Sequence, residues 1–271
     1  MHKKGDDLGD RMKEYEGVEA GRRLMQGLPI CVRLDGKCFS SFTRGLARPH
    51  DDRLTSLMRE TTRYLMTESA ALAGYTQSDE ISLLLYTDEP KSQVFLDRRV
   101  QKLTSILAAM ATVYFNRRLA EFLPEKADKM PIFDCRVWSV PSKEEAANTF
   151  YWREMDATKN SISMAAQSVY SHTQLHGKGS AEKQEMLFQK SINWNDYPSA
   201  FKRGTWLLRR TITRSFTMSE LAALPPKHAA RTNPDLLVER HEIVAVDMPP
   251  FGKVINRVGV LFDEEDPLVR V

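Results

Sequence analysis

Residues 29–34, Pro-Ile-Cys-Val-Arg-Leu, run directly into Asp35-Gly36, and residues 77–80, Gln-Ser-Asp-Glu, stand between two further β-rich runs. The first stretch is short, apolar and β-branched and closes on a turn pair, so it predicts a strand that delivers Asp35 to its C-terminal end. The second predicts an acidic hairpin tip, because residues 81–86 are too few and too β-rich for a helix and residues 75–77 lead into the turn. Between the two, Leu54, Leu57, Met58, Tyr64, Leu65 and Leu72 recur at the spacing of one helical face. Residues 51–73 therefore predict a helix with Asp51 and Asp52 at its positive end and Gly74 as its stop.

Outward from this centre, a second long helix is expected over residues 91–122, with Val94, Phe95, Leu103, Ile106, Leu107, Met110, Val113 and Tyr114 inward and Pro124 beyond its end. A strand at 132–140 follows, and Ser142 with Glu145 forms a capping-box signature for a third helix. The order βαββαβ is that of the split-βαβ, ferredoxin-like arrangement, an α+β class in which helices and sheet form an α/β sandwich. Past Tyr170 the text is polar and then basic, with loop markers at Pro225-Pro226 and Asn233-Pro234 and an acidic run at 263–266. The expected organisation is a part over 1–140 that carries the acidic motifs. A helical and C-terminal part over 141–271 packs on it within one compact domain.

The chain has 271 residues with 42% hydrophobic and 28% charged side chains, a balance that builds a core and excludes the disordered class. Cys31, Cys38 and Cys135 are odd in number and form no C-x-x-C pair, which argues against a disulfide scaffold and a four-ligand zinc site. Residues 1–16 alternate acids and bases, and no later stretch is apolar for the length a bilayer requires, so a cytoplasmic protein without a membrane partner is expected. The net charge of +3 decides nothing, since phosphate can be bound by a local patch.

The first and third strands of a split-βαβ sheet are central neighbours, so Asp35 and the Asp79-Glu80 pair can converge. Clustered hard oxygen ligands suit Mg²⁺, and two such ions suit an in-line displacement at phosphorus. An Asp-Gly pair is also a common turn, and an acidic hairpin tip is often mere solvated surface; it is their joint placement that favours phosphoryl or nucleotidyl transfer. Gly36 would let its carbonyl approach a metal or triphosphate. Arg98, Arg99 and Lys102 on the second helix and Arg136 on the next strand supply cations, with Arg99 and Lys102 on one helical face; a solvated helix surface is the alternative.

These motifs resemble the tRNA-histidine guanylyltransferase family, in particular its bacterial and archaeal guanylyltransferase-like branch of 3′-to-5′ polymerases. The resemblance rests on Asp10-Arg11-Met12-Lys13 with Tyr15-Glu16, Arg33-Leu34-Asp35-Gly36-Lys37 with Phe39, Pro49 with Asp51-Asp52-Arg53, Gln77-Ser78-Asp79-Glu80, Phe133-Asp134 with Arg136, and Phe201-Lys202-Arg203-Gly204-Thr205. It implies a polymerase-type palm holding two Mg²⁺ through Asp35, the Gly36 carbonyl and Asp79, with Glu80 beside them as a further catalytic carboxylate. It implies nucleotide contacts at Lys37, Cys38, Phe39, Ser40, Ser78, Arg99, Lys102, Arg136 and Asn160, with GTP and ATP as substrates. It further implies a homotetramer that activates a tRNA 5′-phosphate and lets the 3′-hydroxyl of an incoming nucleotide attack it. For tRNA itself, phosphate contacts are expected from Arg153, Lys202, Arg203, Arg209 and Arg210.

Two departures direct the reading within the family. Thr158-Lys159-Asn160-Ser161 stands where eukaryotic members carry H-I-N-N, and Ser40 stands where they carry a second histidine. Both favour templated addition, and so repair of 5′-truncated tRNA, over untemplated addition of one guanosine to tRNA-His. A palm-fold nucleotide cyclase would use the same carboxylates. A non-catalytic RNA-binding protein would draw on Trp194, Tyr197, Phe201, Lys202 and Trp206, residues that otherwise read as core. His172 with His176 lacks further metal ligands, and Cys38 reads as a small packing residue.

Overall fold

Strand β1 (Ile30–Gly36) occupies an interior position in a six-stranded antiparallel sheet of order β4-β1-β3-β2-β5-β6. The other strands are β2 (Ala73–Gln77), β3 (Glu80–Leu85), β4 (Phe133–Ser139), β5 (Thr205–Ser215) and β6 (Leu237–Val246). The helices are α1 (Asp7–Ala20), α2 (Phe39–Phe42), α3 (Asp52–Ser69), α4 (Val100–Phe122), α5 (Lys143–Gln167), α6 (His172–Leu175), α7 (Ser180–Phe188), α8 (Ser199–Arg203), α9 (Met218–Ala223), α10 (Ala229–Thr232) and α11 (Arg257–Phe262). This computed structural model describes residues 7–89, 92–233 and 235–270. Lys91, the expected start of the second long helix, the loop marker Pro234 and the first six residues of the charged N-terminal run lie outside the described residues.

The class is α+β, and the four strands β4-β1-β3-β2 with α3 and α4 reproduce the expected βαββαβ order. Alternation along β1 sends Ile30, Val32 and Leu34 to one face, where they meet Leu57, Met58 and Leu65 of α3 and Leu103, Leu107 and Phe115 of α4. Cys31 faces the other way, into a second core with Tyr75, Leu84, Trp206 and Leu208 from the sheet and Ala146, Ala147 and Phe150 from α5. This face of the sheet is covered by α5 together with Phe251, Val260 and Leu261 from the C-terminal segment. Among the described residues no helix is long and apolar enough to cross a membrane.

Three expectations are corrected. Helix α3 ends at Ser69 and not at 73, because Ala70 takes the left-handed conformation (φ 54°) and the chain turns into β2. Gly74 lies within that strand. A Cβ there would stand 2.6 Å from the Met66 sulfur, so the glycine serves close strand-to-helix packing and stops no helix. Helix α4 starts at Val100, nine residues later than read. Leu96, Asp97 and Arg98 have φ of 52° to 59°, and the chain there pairs with residues 22–24 through Leu24 N–H to the Arg98 carbonyl and Val100 N–H to the Arg22 carbonyl. Along α4, Ile106 and Val113 are exposed; the buried stripe is Leu103, Leu107, Ala111, Phe115 and Leu119.

The third helix begins where the cap required: the Ser142 hydroxyl accepts the Glu145 N–H at 3.2 Å. Strands β5 and β6, unread in the sequence, extend the sheet past β2. Arg209 and Arg210 on β5 are committed to that extension. Arg209 donates to the carbonyls of Met66 (2.9 Å) and Ala71 (3.1 Å) at the end of α3, and Arg210 donates to those of Val260 and Glu265. Phe201 and Trp206 are buried, and Trp194 and Tyr197 pack half-buried beside Phe201, which is the core reading of that aromatic group.

Candidate active site

Cross-strand register assembles the site. Asp35 stands opposite Glu80 on β3 and opposite Asp134 on β4, so three carboxylate residues share one row and one face, about 5 Å apart along the backbone. One step back, Arg33 stands between Ser82 and Arg136. The β2–β3 hairpin closes on Gln77 and Glu80 with Ser78 and Asp79 as its tip, and the Gly36 N–H donates to the Asp79 carbonyl at 3.1 Å. That bond fastens the tip to the end of β1. Gly36 is also required by packing: a Cβ would fall 2.2 Å from the Phe39 ring. Ser78 (φ 54°) and Cys38 (φ 58°) flank the carboxylates in left-handed conformations that such residues seldom adopt, the kind of strain that functional loops hold.

Two of the four acids are already partnered. The Arg153 guanidinium, on α5, grips Glu80 in a bidentate pair at 2.6 and 2.9 Å and also reaches Asp156 at 2.8 Å. Asp134 turns to Arg136 at 3.4 Å. Asp35 and Asp79 have no ion-pair partner among the described residues. Burial, reinforced by the charge of Asp35, pushes the Asp79 carboxyl above its ordinary value. Burial likewise raises Glu80, against the pull of Arg153. Among the described residues no three His, Cys, Asp or Glu side chains are grouped to hold a metal. A cation here would therefore draw on Asp35, Asp79 and a backbone carbonyl. Uncompensated hard oxygen donors of that number fit Mg²⁺, which keeps most of its shell for water and phosphate.

Two cavities open on Asp79. One, of about 390 Å³, is lined by Phe39, Ser40, the loop 46–51 and Leu54; the other, of about 330 Å³, by Asp35, Tyr75, Glu80, Arg153 and Asn160. They share Ser78, Asp79, Met164 and Gln167. The α5 contribution, Arg153, Ala157, Asn160, Ser163, Met164 and Gln167, follows the three-to-four spacing of one helical face, a signal present in the sequence and missed there. Asp51, expected at the start of the first helix and within the motif Asp51-Asp52-Arg53, lines the first cavity. It is the N-cap of α3, accepts the Arg53 and Ala47 N–H groups, and is held down at about 2 by the Arg53 guanidinium.

The structure brings together Asp35, Gly36, Phe39, Ser40, Ser78, Asp79, Glu80, Asn160 and Arg153. Lys37 and Cys38 are exposed just past β1, so Cys38 is no packing residue, and Arg136 is exposed on β4. Arg99 and Lys102 lie apart from these. Phe115 packs on Phe39 and Phe133 beside the site, whereas Arg99 caps the opposite end of α4, about 24 Å away along the helix and on the other face of the sheet. Arg153 is 8% exposed and given over to Glu80 and Asp156, and Arg209 and Arg210 to backbone carbonyls. Lys202 bonds the Asn195 carbonyl and lies over the Trp194 ring, while Arg203 donates to Ser199 and accepts, through its carbonyl, the Tyr75 hydroxyl. His172 and His176 are exposed.

Behind the second cavity, Glu154 is buried and accepts the Phe251 N–H at 2.9 Å. Burial pushes its carboxyl from 4.5 up to about 7, against the Phe251 bond and the charge of Arg203. A raised carboxyl favours the protonated fold: its contribution is complete below pH 4.5 and is lost as pH rises through 7. Glu154→Gln keeps an acceptor for Phe251 and removes the charge. It is expected to be about 3 kcal/mol more stable than wild type at pH 8 and equal to it at pH 4. Urea unfolding at the two pH values checks this; an equal difference at both would contradict it.

Comparison with known proteins fixes what this frame belongs to. The family model described as Thg1, tRNAHis guanylyltransferase, matches residues 9–141, and that of the Thg1 C terminal domain matches residues 144–246. A tRNA(His) guanylyltransferase of Debaryomyces hansenii is 30% identical over 73% of this chain and 80% of its own length. The chain belongs to the tRNA(His) guanylyltransferase family. As a member it is a nucleotidyltransferase. Two solved structures of bacterial tRNA(His) guanylyltransferase (Thg1)-like proteins superpose with TM-score 0.70. The one in complex with ATP is 40% identical, covering 75% of this chain and 87% of that one. The one in complex with GTP is 31% identical, covering 92% and 95%. The guanylyltransferase family match spans both the carboxylate row and β5, so its two models share one continuous sheet.

Proposed function

We propose that the protein adds nucleotides in the 3′-to-5′ direction to the 5′ end of tRNA, copying the opposing strand, and that it repairs 5′-truncated tRNAs. The observation that carries this is the pair of unpartnered carboxylates, Asp35 and Asp79, at the junction of two nucleotide-sized cavities in a member of this family. Relatives solved with ATP and with GTP support both nucleotides as substrates here. The cavity beneath residues 46–51 takes the base and sugar. The second cavity, with Ser78 and Asn160, takes the phosphates, and Lys37 and Arg136 stand exposed beyond it to receive the RNA end.

Asp35, Asp79 and the Gly36 carbonyl would hold Mg²⁺. When bound, that ion neutralises phosphate charge and polarises the oxygens of the displacement. The chain's own residues align the two reactants. The hairpin tip, locked to β1, fixes Asp79 against Asp35, and Arg153 holds Glu80 back as a neighbour that completes the negative field. Templated addition is favoured over a single untemplated guanosine because Thr158 and Ser40 stand where eukaryotic members carry histidines, and Ser40 lines the first cavity.

A 5′-truncated tRNA bearing a monophosphate or a triphosphate, offered each nucleotide in turn with Mg²⁺, tests this. Incorporation is expected only of the nucleotide complementary to the opposing base. Guanosine added whatever the opposing base would overturn the templated reading, and a small cyclic product with unmodified tRNA would overturn the polymerase reading.

A further inference from the structure

Trp152 takes part in neither core nor cavity. It lies on α5 with 46% of its surface exposed, one residue before the buried Arg153, whose guanidinium sits 4.2 Å from the indole centroid. Arg33 approaches the same ring at 5.7 Å from the sheet below. Although buried, the Arg33 Nε has no hydrogen-bond partner among the described residues, and neither has the hydroxyl of its cross-strand neighbour Ser82. On its other side Arg33 is in register with Arg136, which is exposed. The result is a half-open aromatic surface with two guanidiniums against it: that of Arg153, given over to Glu80 and Asp156, and that of Arg33, whose Nε is unpaired among the described residues.

Its position relates it to the carboxylates. Arg33 and Asp35 are two residues apart on one face of β1, about 7 Å, which is close to one nucleotide step along an RNA backbone. Aromatic faces with adjoining arginines bind unstacked bases of single-stranded ends, the guanidiniums meeting phosphate.

We propose that Trp152 stacks the terminal base of the RNA substrate while Arg33 and Arg136 hold its phosphate, seating the 5′ end one step from Asp35 and Asp79. This rests on the reading of the site as one that acts on tRNA. A free nucleoside triphosphate is the less suitable occupant, because Trp152 lines neither of the two cavities and is exposed over nearly half of its surface, as a polymer crossing it requires.

Trp152→Leu and Trp152→Phe test it, with three readouts on the full chain: tRNA binding without nucleotide, KM for the nucleotide, and the thermal midpoint. Trp152→Leu is expected to weaken binding of 5′-truncated tRNA about 10-fold or more with the nucleotide KM unchanged, and Trp152→Phe to stay within about 3-fold of wild type. Wild-type tRNA affinity in Trp152→Leu would overturn the inference. So would a raised nucleotide KM with unchanged tRNA affinity, which would assign the ring to the free nucleotide, or equal losses in both variants with a lowered midpoint, which would make it a structural prop. A wild-type protein that binds tRNA and adds nothing would sink the proposed reaction and still leave the binding comparison to decide on Trp152.

Discussion

Asp79→Asn should lose nucleotide addition by about 10³-fold or more and yet fold at least as stably as the wild type. The two effects have one cause. Asp79 and Asp35 face a shared space in which neither has an ion-pair partner of its own among the described residues, and burial with like charge raises the Asp79 carboxyl. Removing the charge relieves the folded state, so the gain should be present at neutral pH and vanish in acid, where the wild-type carboxyl is itself protonated. Activity moves the other way because an amide supplies no anionic oxygen to a hard cation. Asp35→Asn should match it in rate. Single-turnover addition to an activated tRNA end, read beside thermal unfolding, separates the effects; undiminished addition by either variant would remove these carboxylates from the chemistry. The backbone bond from Gly36 to Asp79 is untouched by either change, so loss of the hairpin's anchoring cannot account for an inactive variant.

Arg153→Met is the change expected to cost the most stability, about 3–5 kcal/mol in urea unfolding. Its guanidinium is the charged partner of two acids at once, and Glu80 would be left charged and half-buried beside Asp35 and Asp79. Adding Glu80→Gln to the Arg153→Met background should recover a large part of that loss, since the pair is removed whole and no lone charge remains. A double variant no more stable than the single one would show that Arg153 acts by packing and not through the pair. On α5, six of the cavity-lining residues depend on where this helix sits. The pair that docks it is therefore expected to influence the rate as well, through alignment.

The strands carrying Asp35 and Asp79 were legible because their chemistry is local. A β-rich run ending in Asp-Gly and a two-residue acidic tip each declare themselves within a few positions, and the split-βαβ order then brings them together. Asp134 was quoted as part of a motif but not as a site residue, since its place in the row follows from register on β4, and register depends on the whole sheet. The start of α4 differs from the expectation because apolar spacing at Val94 and Phe95 continues through a segment whose backbone is left-handed at Leu96, Asp97 and Arg98; the Val94, Phe95 and Leu96 side chains pack against the core without being helical. Arg99 and Lys102 were grouped with the site by their charge and shared helical face and by resemblance, and no spacing rule reports which end of a long helix lies beside which end of a sheet. Arg209 and Arg210 illustrate the same limit. A basic run reads as a surface for phosphate, whereas here it meets carbonyls from α3 and from the C-terminal segment.

The attachment of β5 along β2 has a bearing on how this chain can be divided. A fragment stopping near residue 141, where the first family model ends, would expose the β2 backbone as a raw border able to stick to other copies, and would leave the carbonyls of Met66 and Ala71 without their guanidinium. The seam that alignment draws between the two halves is a line on the sequence and no line of weakness in the molecule.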